Sequence, residues 1–540
     1  MSYMSRLKRL TLIVFFVFFS FLTPEAATHA ENRALEQLLD LFEQKGVISP
    51  QEVQRIKQTL AEDQERLEKR EREIEEKEKA LSEREKDLRA KEEALQAKEH
   101  AISESAKVSP ETSAEAKPAE EVETAATSAQ QETWWTPIPL QATYRDRFCV
   151  STSDPDQFAL CLGGLLQVDY RYYDYDGEDP ENNGFDLRRV RLLMAGHLSR
   201  HFDYRFLYEY QGASSRNLLD AYVDARLVPE AALRIGQFKE PFGLDQSTLD
   251  KNIWFAEKSF AFYLSPKRDV GVMAHGSLLN DRIDYGLGVF NGNGPDDSQT
   301  GDEDAPQVTT RLVFYPLKNQ GFPLFQDLQL GGSFSYANID RNNVDVEVKT
   351  SGLTTFFDVS SAAKFNVIRE ADWQRRYGFE LGWAYGPVAV AGEYVNDYYK
   401  DITTSSQQFD TELEAYYVSL LWMLTGERPT FERGVIQTIR PLRSVWQGGW
   451  GAFGLAFRYD VFKADDDAYE NLITQGFSVS EAKAYTIALN WYLNPKVRLI
   501  LDATRTDFDS PLLIDRDPLT GTAIYSDRED VFTGRFQFVY

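Results

Sequence analysis

The residues able to do chemistry in this chain are few and mostly basic. Arg188, Arg189 and Arg191 fall close together, and Lys251, Lys258, Lys267 and Arg268 follow within the 28 residues from Pro241 to Arg268. Guanidinium groups gathered this way can replace part of an anion's hydration shell with directed N–H donors, in a fork that fits oxyanions. The bland alternative is a set of wall charges paired with Asp or Glu. On a strand, alternation puts Arg189 and Arg191 on one face and Arg188 on the other with Val190, Leu192 and Met194, unless a bulge intervenes. Catalysis finds no comparable grouping. His197 and His201 are four apart, which converges on a metal only along a helix, whereas Leu198-Ser199-Arg200 reads as a turn, and no nucleophile elbow is present. We expect no enzyme, no cofactor and no metal site.

The elements that must position these residues are strands. Phe202, Tyr204, Phe206, Tyr208 and Tyr210 share one face, with Asp203, Arg205, Glu209 and Gln211 on the other. The same period of two recurs in Leu166-Val168-Tyr170-Tyr172 against Gln167-Asp169-Arg171, at Ile283–Val289, Val308–Phe314 and Val497–Ala503, and in Phe532, Phe536, Phe538 and Tyr540. About sixteen such runs fit between Phe158 and Tyr540. No helical segment is available to cover the aromatic faces, so lipid must, and the expected fold is an all-β transmembrane barrel with its polar face lining a channel. The stretch from Pro241 to Arg268 is then a natural constriction loop folded into the lumen. Cys149 and Cys161 stand equidistant from Pro155 across a turn, where they could pair in an oxidising compartment or remain two thiols.

Composition agrees. With 59 Lys plus Arg against 85 Asp plus Glu, the net charge of −26 argues against nucleic acid as a partner. Residues 134–540 hold all 9 Trp, 26 of 27 Tyr and 29 of 35 Phe, and carry 39 basic against 57 acidic residues, a net −18. Pore selectivity is set at the narrowest point, so that total does not decide it.

The front of the chain is different. Arg6, Lys8 and Arg9, the apolar run Leu10–Leu22 and Thr28-His29-Ala30 read as a signal peptide over residues 1–30. Residues 31–50 start a short helical hairpin. In 51–104, Val53, Leu60, Leu67, Ile74, Leu81, Leu88, Leu95 and Ile102 recur every seven positions. The second seam position is mostly charged, so either a thin coiled coil or a solitary charged helix fits. Residues 105–133 read as a disordered linker, and 134–540 as the barrel domain.

Several stretches resemble the phosphate-selective porin O and P family: Gly164–Tyr170, Phe185–Arg189, Arg234–Leu244, Leu424–Glu427, Trp450–Phe453, Arg458–Asp460, Leu489–Leu493 and Arg535–Tyr540. The resemblance implies a trimeric sixteen-stranded outer-membrane channel for small anions such as phosphate. It also implies anion contacts by Arg188, Arg189, Lys251 and Lys258, with Asp220 as the acidic neighbour. Gln246 departs from it, standing where phosphate-selective members have lysine. The expected partners are small anionic solutes, outer-membrane lipid and two further copies in a homotrimer, with periplasmic or peptidoglycan contact through the helix. A non-selective porin or a structural tether is the alternative.

Overall fold

The computed structural model describes residues 139–540 apart from 145, 155, 176–182, 211–216, 293–305, 339–345, 360–370, 404–407, 469–477 and 517–522. The expected signal, helical hairpin, heptad helix and linker lie outside the described residues. β1 (Leu140–Tyr144) and β2 (Phe148–Thr152) form a hairpin. Then follow β3 (Phe158–Asp174), β4 (Gly184–Leu198), β5 (Phe202–Glu209), β6 (Leu218–Val228), β7 (Ala231–Lys239), β8 (Arg268–Leu278), β9 (Ile283–Phe290), β10 (Gln307–Phe314) and β11 (Gln329–Asn338). A small hairpin, β12 (Glu347–Lys349) and β13 (Thr355–Asp358), precedes β14 (Trp373–Tyr385), β15 (Val388–Thr403) and β16 (Gln408–Met423). The short pair β17 (Phe431–Glu432) and β18 (Val435–Ile436) leads into β19 (Ala452–Ala464), β20 (Glu481–Tyr492), β21 (Val497–Arg516) and β22 (Ala523–Val539).

Leaving aside the three small hairpins, each long strand pairs antiparallel with the next, and β22 returns to β3 from Val539↔Leu165 to Asp530↔Asp174. The result is a closed barrel of 16 strands. Closure leaves no unpaired edge, which is what hydrocarbon demands of a sheet. β2 pairs with β3 over Ala159–Leu162, below the last residue of β22, so the front hairpin extends the same edge. Cys149 faces Cys161 there, with a Cα separation of 4.0 Å, and the two are joined as a disulfide. The Tyr540 ring lies over Gly164, where a Cβ would overlap it.

Alternation sorts the side chains as lipid requires. Phe202, Phe206, Tyr208, Leu287, Leu312, Leu501, Phe532 and Phe536 face outward and are exposed, while Gln167, Asp169, Arg171, Asp502 and Arg535 face inward and are buried. The expectation of a polar inner face holds around β3 and β4 and at β21 and β22, and only in part across β15–β20, where Glu393, Asp397, Arg458, Asp460 and Asn490 share the inner face with apolar groups. There the inner positions include Ala389, Ala391, Ala415, Ala452, Ala456, Ala482, Ala484 and Ala488, all buried against inserted aromatic groups. Small side chains on the wall make room for protein inside it.

Leu501 sits within the outward apolar run and is 62% exposed. Leu501→Arg is therefore expected to destabilise the folded barrel by about 2–4 kcal/mol, the range for a cation near the bilayer midplane. Reversible urea unfolding in lipid vesicles measures it.

Candidate constriction site

Residues 240–267, between β7 and β8, cross to the opposite wall. They carry two short helices, α1 (Leu244–Ser247) and α2 (Phe260–Leu264). The crossing starts at Gly243, whose φ of 56° suits glycine and whose missing Cβ leaves space for the Glu393 carboxylate. A loop buried this deeply must have its backbone groups satisfied. Wall side chains do this: Gly243 N donates to Ser333 Oγ at 3.0 Å, Asp245 N to Glu393 at 2.9 Å, Ala256 N to Asp502 at 3.0 Å and Phe260 N to Asp460 at 3.0 Å. In return Asn490 donates to Trp254 O at 3.0 Å, Arg498 to Ile253 O at 2.7 Å and Arg458 to Glu257 O at 2.9 Å. Phe242, Trp254, Phe255 and Phe260 fill the space the alanines leave.

The other face of the loop meets the arginines. The register of β3 on β4 shifts between Gln167 and Val168, where Gln167 faces Arg189 and Val168 faces Leu187, so Arg188 has no partner residue across the ladder. That is a β-bulge, and it re-aims one side chain. Arg188 thus escapes the outward face that simple alternation gives it and joins Arg189 inside. Both reach Glu257 of the loop: Arg188 bidentately at 2.7 and 3.0 Å, Arg189 at 3.2 Å. Arg171 of β3 reaches the same carboxylate at 3.1 Å and Arg535 of β22 at 2.7 Å. Asp169 holds the last two from behind, bidentately to Arg535 at 2.6 and 2.7 Å and to Arg171 at 2.6 Å. Burial alone would raise the Glu257 carboxyl, but Arg188, Arg189 and Arg535 hold it well below the usual glutamate range.

The remaining sequence-derived residues are placed around this cluster. Arg191 donates to Glu209 at 2.5 Å and to Asp250 of the loop. Lys258 is buried and bonds the loop's own carbonyls, Asp245 O and Thr248 O, the latter at 3.0 Å. Burial lowers the Lys258 ammonium from its ordinary value, opposed by Asp245 and Asp250. Lys251 makes no ion pair with this cluster but lines a small pocket together with Arg147, Arg191, Asp250 and Tyr540. Asp220 accepts from Arg205 at 2.9 Å and Arg268 at 2.8 Å. The arrangement thus unites Arg188, Arg189 and Arg191 through loop carboxylates and leaves Lys251 and Asp220 outside that group. Sequence reasoning passed over Arg171, Arg535, Asp169, Asp250 and Glu257. The polar side of the Gln167-Asp169-Arg171 alternation was a usable signal for the β3 pair.

A second segment, residues 424–451 between β16 and β19, enters from the opposite end of the barrel and meets the loop. Asn252 donates to Ile436 O at 2.9 Å, Thr438 to Asn252 at 2.7 Å and Arg311 to Gly434 O at 2.6 Å, while Trp254 and Phe431 meet edge to face at 6.3 Å. Beside it, a cavity of about 970 Å³ runs from Arg200, Pro229 and Asp281 at the short-turn end up to Lys239, Pro241 and Leu249 at the base of the loop.

A lipid-facing sheet closed on itself, with a charged interior, defines an outer-membrane β-barrel porin. Residues 158–540 match the profile of the Phosphate-selective porin O and P family, and the chain belongs to that family. It is 25% identical over 378 residues to Porin O of Pseudomonas aeruginosa, covering 65% of this chain and 83% of that protein. Among solved structures it is similar to an anion-selective porin from Comamonas acidovorans, with 11% identity, 71% of this chain, 100% of that one and a TM-score of 0.43. It is also similar to the channel DcaP of Acinetobacter baumannii, with 10% identity, 72% and 99% coverage and a TM-score of 0.41.

Two stability and conductance outcomes follow from this geometry. Arg535→Met leaves Asp169 and Glu257 short of a buried cation and is expected to cost about 3–5 kcal/mol, read as a lowered unfolding midpoint in detergent. Replacing residues 429–440 by a short Gly-Ser turn is expected to raise single-channel conductance in planar bilayers.

Proposed function

We propose that this chain is a passive porin for small solutes, that residues 240–267 narrow its lumen, and that it prefers anions with weak affinity. What carries the reading is the wall of the large cavity. On a domain of net −18, that wall bears Arg200, Arg205, Arg226, Arg234, Lys239, Arg268, Arg311 and Arg433 against Asp203, Asp220, Asp224, Glu240, Asp281 and Asp284. Basic groups prevail locally although acidic groups prevail overall, and local charge governs which ion enters. Affinity is weak because the guanidinium groups are already engaged: Arg226 with Asp203, Arg234 with Asp224, Arg268 with Asp220 and Arg311 with Glu380. A transported ion must leave as easily as it enters, and paired arginines suit that. Phosphate is one such solute, as the family's description suggests, and the Gln246 departure fits a modest preference for it.

A homotrimer is the proposed assembly, in keeping with a Vibrio cholerae OmpT structure described as a trimer form. The heptad stripe from Val53 to Ile102, outside the described residues, is the support for a further proposed role, that of a periplasmic tether.

Reversal potential in a tenfold KCl gradient tests the reading. Wild-type protein in a planar bilayer is expected to favour chloride, and Arg200→Ala combined with Arg433→Ala, two basic residues of the cavity wall, to reduce that preference. A wild-type pore selective for potassium would overturn it.

A further inference from the structure

Four guanidinium groups converge on one carboxylate in this barrel, and the carboxylate belongs to the protein. We propose that Glu257 is a tethered resident anion occupying an oxyanion socket built by Arg171, Arg188, Arg189 and Arg535, so that it keeps the channel from binding its solutes tightly. This deepens the porin reading above by naming the residue that sets solute affinity.

The socket has the marks of a ligand site. Five N–H···O contacts of 2.7 to 3.2 Å reach the two Glu257 oxygens, with Arg188 in the paired-fork geometry that suits carboxylate and phosphate alike. The arginines come from β3, β4 and β22, and three of them are also held from the wall, Arg535 and Arg171 by Asp169 and Arg189 by Gln167 at 2.8 Å, while Arg188 bonds Glu257 and Arg535 also donates to Ala256 O of the loop. The carboxylate comes from elsewhere, on a segment joined to the wall through other residues. Removing its charge therefore leaves three of the four donors held by wall groups. A free oxyanion now competes with a tethered one, whose effective concentration reaches at least the order of mM, so dilute solute gains little.

The test is inorganic phosphate binding to the detergent-solubilised, folded full-length protein, followed by titration calorimetry, with folding checked by heat-modifiable migration. Glu257→Gln keeps the side chain's size and removes its charge. Its phosphate dissociation constant is expected to fall at least tenfold below that of wild type, and the gain to vanish in Glu257→Gln with Arg189→Gln. Equal affinity in Glu257→Gln and wild type overturns the proposal, as does a gain that survives loss of Arg189. Should Glu257→Gln not assemble, Glu257→Asp, which retains the charge but withdraws it by one methylene, decides: tightening of threefold or more supports the socket, and no change overturns it. Binding is read without current, so a wild-type protein that fails to conduct counts against the porin reading and leaves the socket result standing.

Discussion

Every other feature depends on the pairing of β22 with β3. Hydrocarbon offers no hydrogen-bond partner, so a sheet in it must bond its last strand to its first or leave two edges at a cost of several kcal/mol per exposed group. The partners are more than 350 residues apart in sequence, from Leu165 against Val539 to Asp174 against Asp530. The pairing also assembles the arginine cluster, since Asp169 and Arg171 come from one end of the chain and Arg535 from the other. Closure and site are one event: until β22 docks, Arg535 has no Asp169 and Glu257 lacks one of its four cations.

Closing the cylinder creates a second problem, an interior too wide for one layer of side chains to fill. The molecule solves it asymmetrically. Around β15–β20 the wall recedes to alanine, and the loop's Phe242, Trp254 and Phe260, the β12–β13 residues Phe356 and Phe357, and Phe431 from the other end pack into the space. Around β5–β8 the wall stays charged and the cavity remains. The apolar half holds the loop rigidly against one side, and that rigidity fixes where its carboxylates stand on the other.

How much of this the sequence discloses follows from the range of each interaction. The outward aromatics of Phe202–Tyr210 are legible because period two is a local property of one strand. The count of sixteen follows from repeating it. Arg188 is misplaced by the same rule, since the bulge at Gln167 and Val168 is a property of two strands together and leaves no mark on either alone. Ala389, Ala391, Ala456 and Ala488 look neutral in sequence, and their meaning appears only once they share one core with Phe356 and Trp254. The length of residues 424–451 is a hint that they enclose something, but what they meet is set by the loop arriving from the other end. Glu257 beside Lys258 looks like an ordinary charged loop, because four arginines from three strands must arrive before it becomes a ligand.

The cluster's energetics explain why a transport protein would carry so many arginines and neutralise them. A buried guanidinium without a partner costs several kcal/mol, so a bare arginine lining is unstable unless solute is always present. Pairing each with a carboxylate on the wall or loop keeps the barrel folded when empty. On the proposed reading, a permeating anion would exchange one carboxylate for another and leave as readily as it enters. In that proposal, inward-pointing donors offer cations nothing, and residence stays short because the protein's own carboxylate returns. A basic wall that supplies its own counter-ions is thus stable whether or not a solute is present.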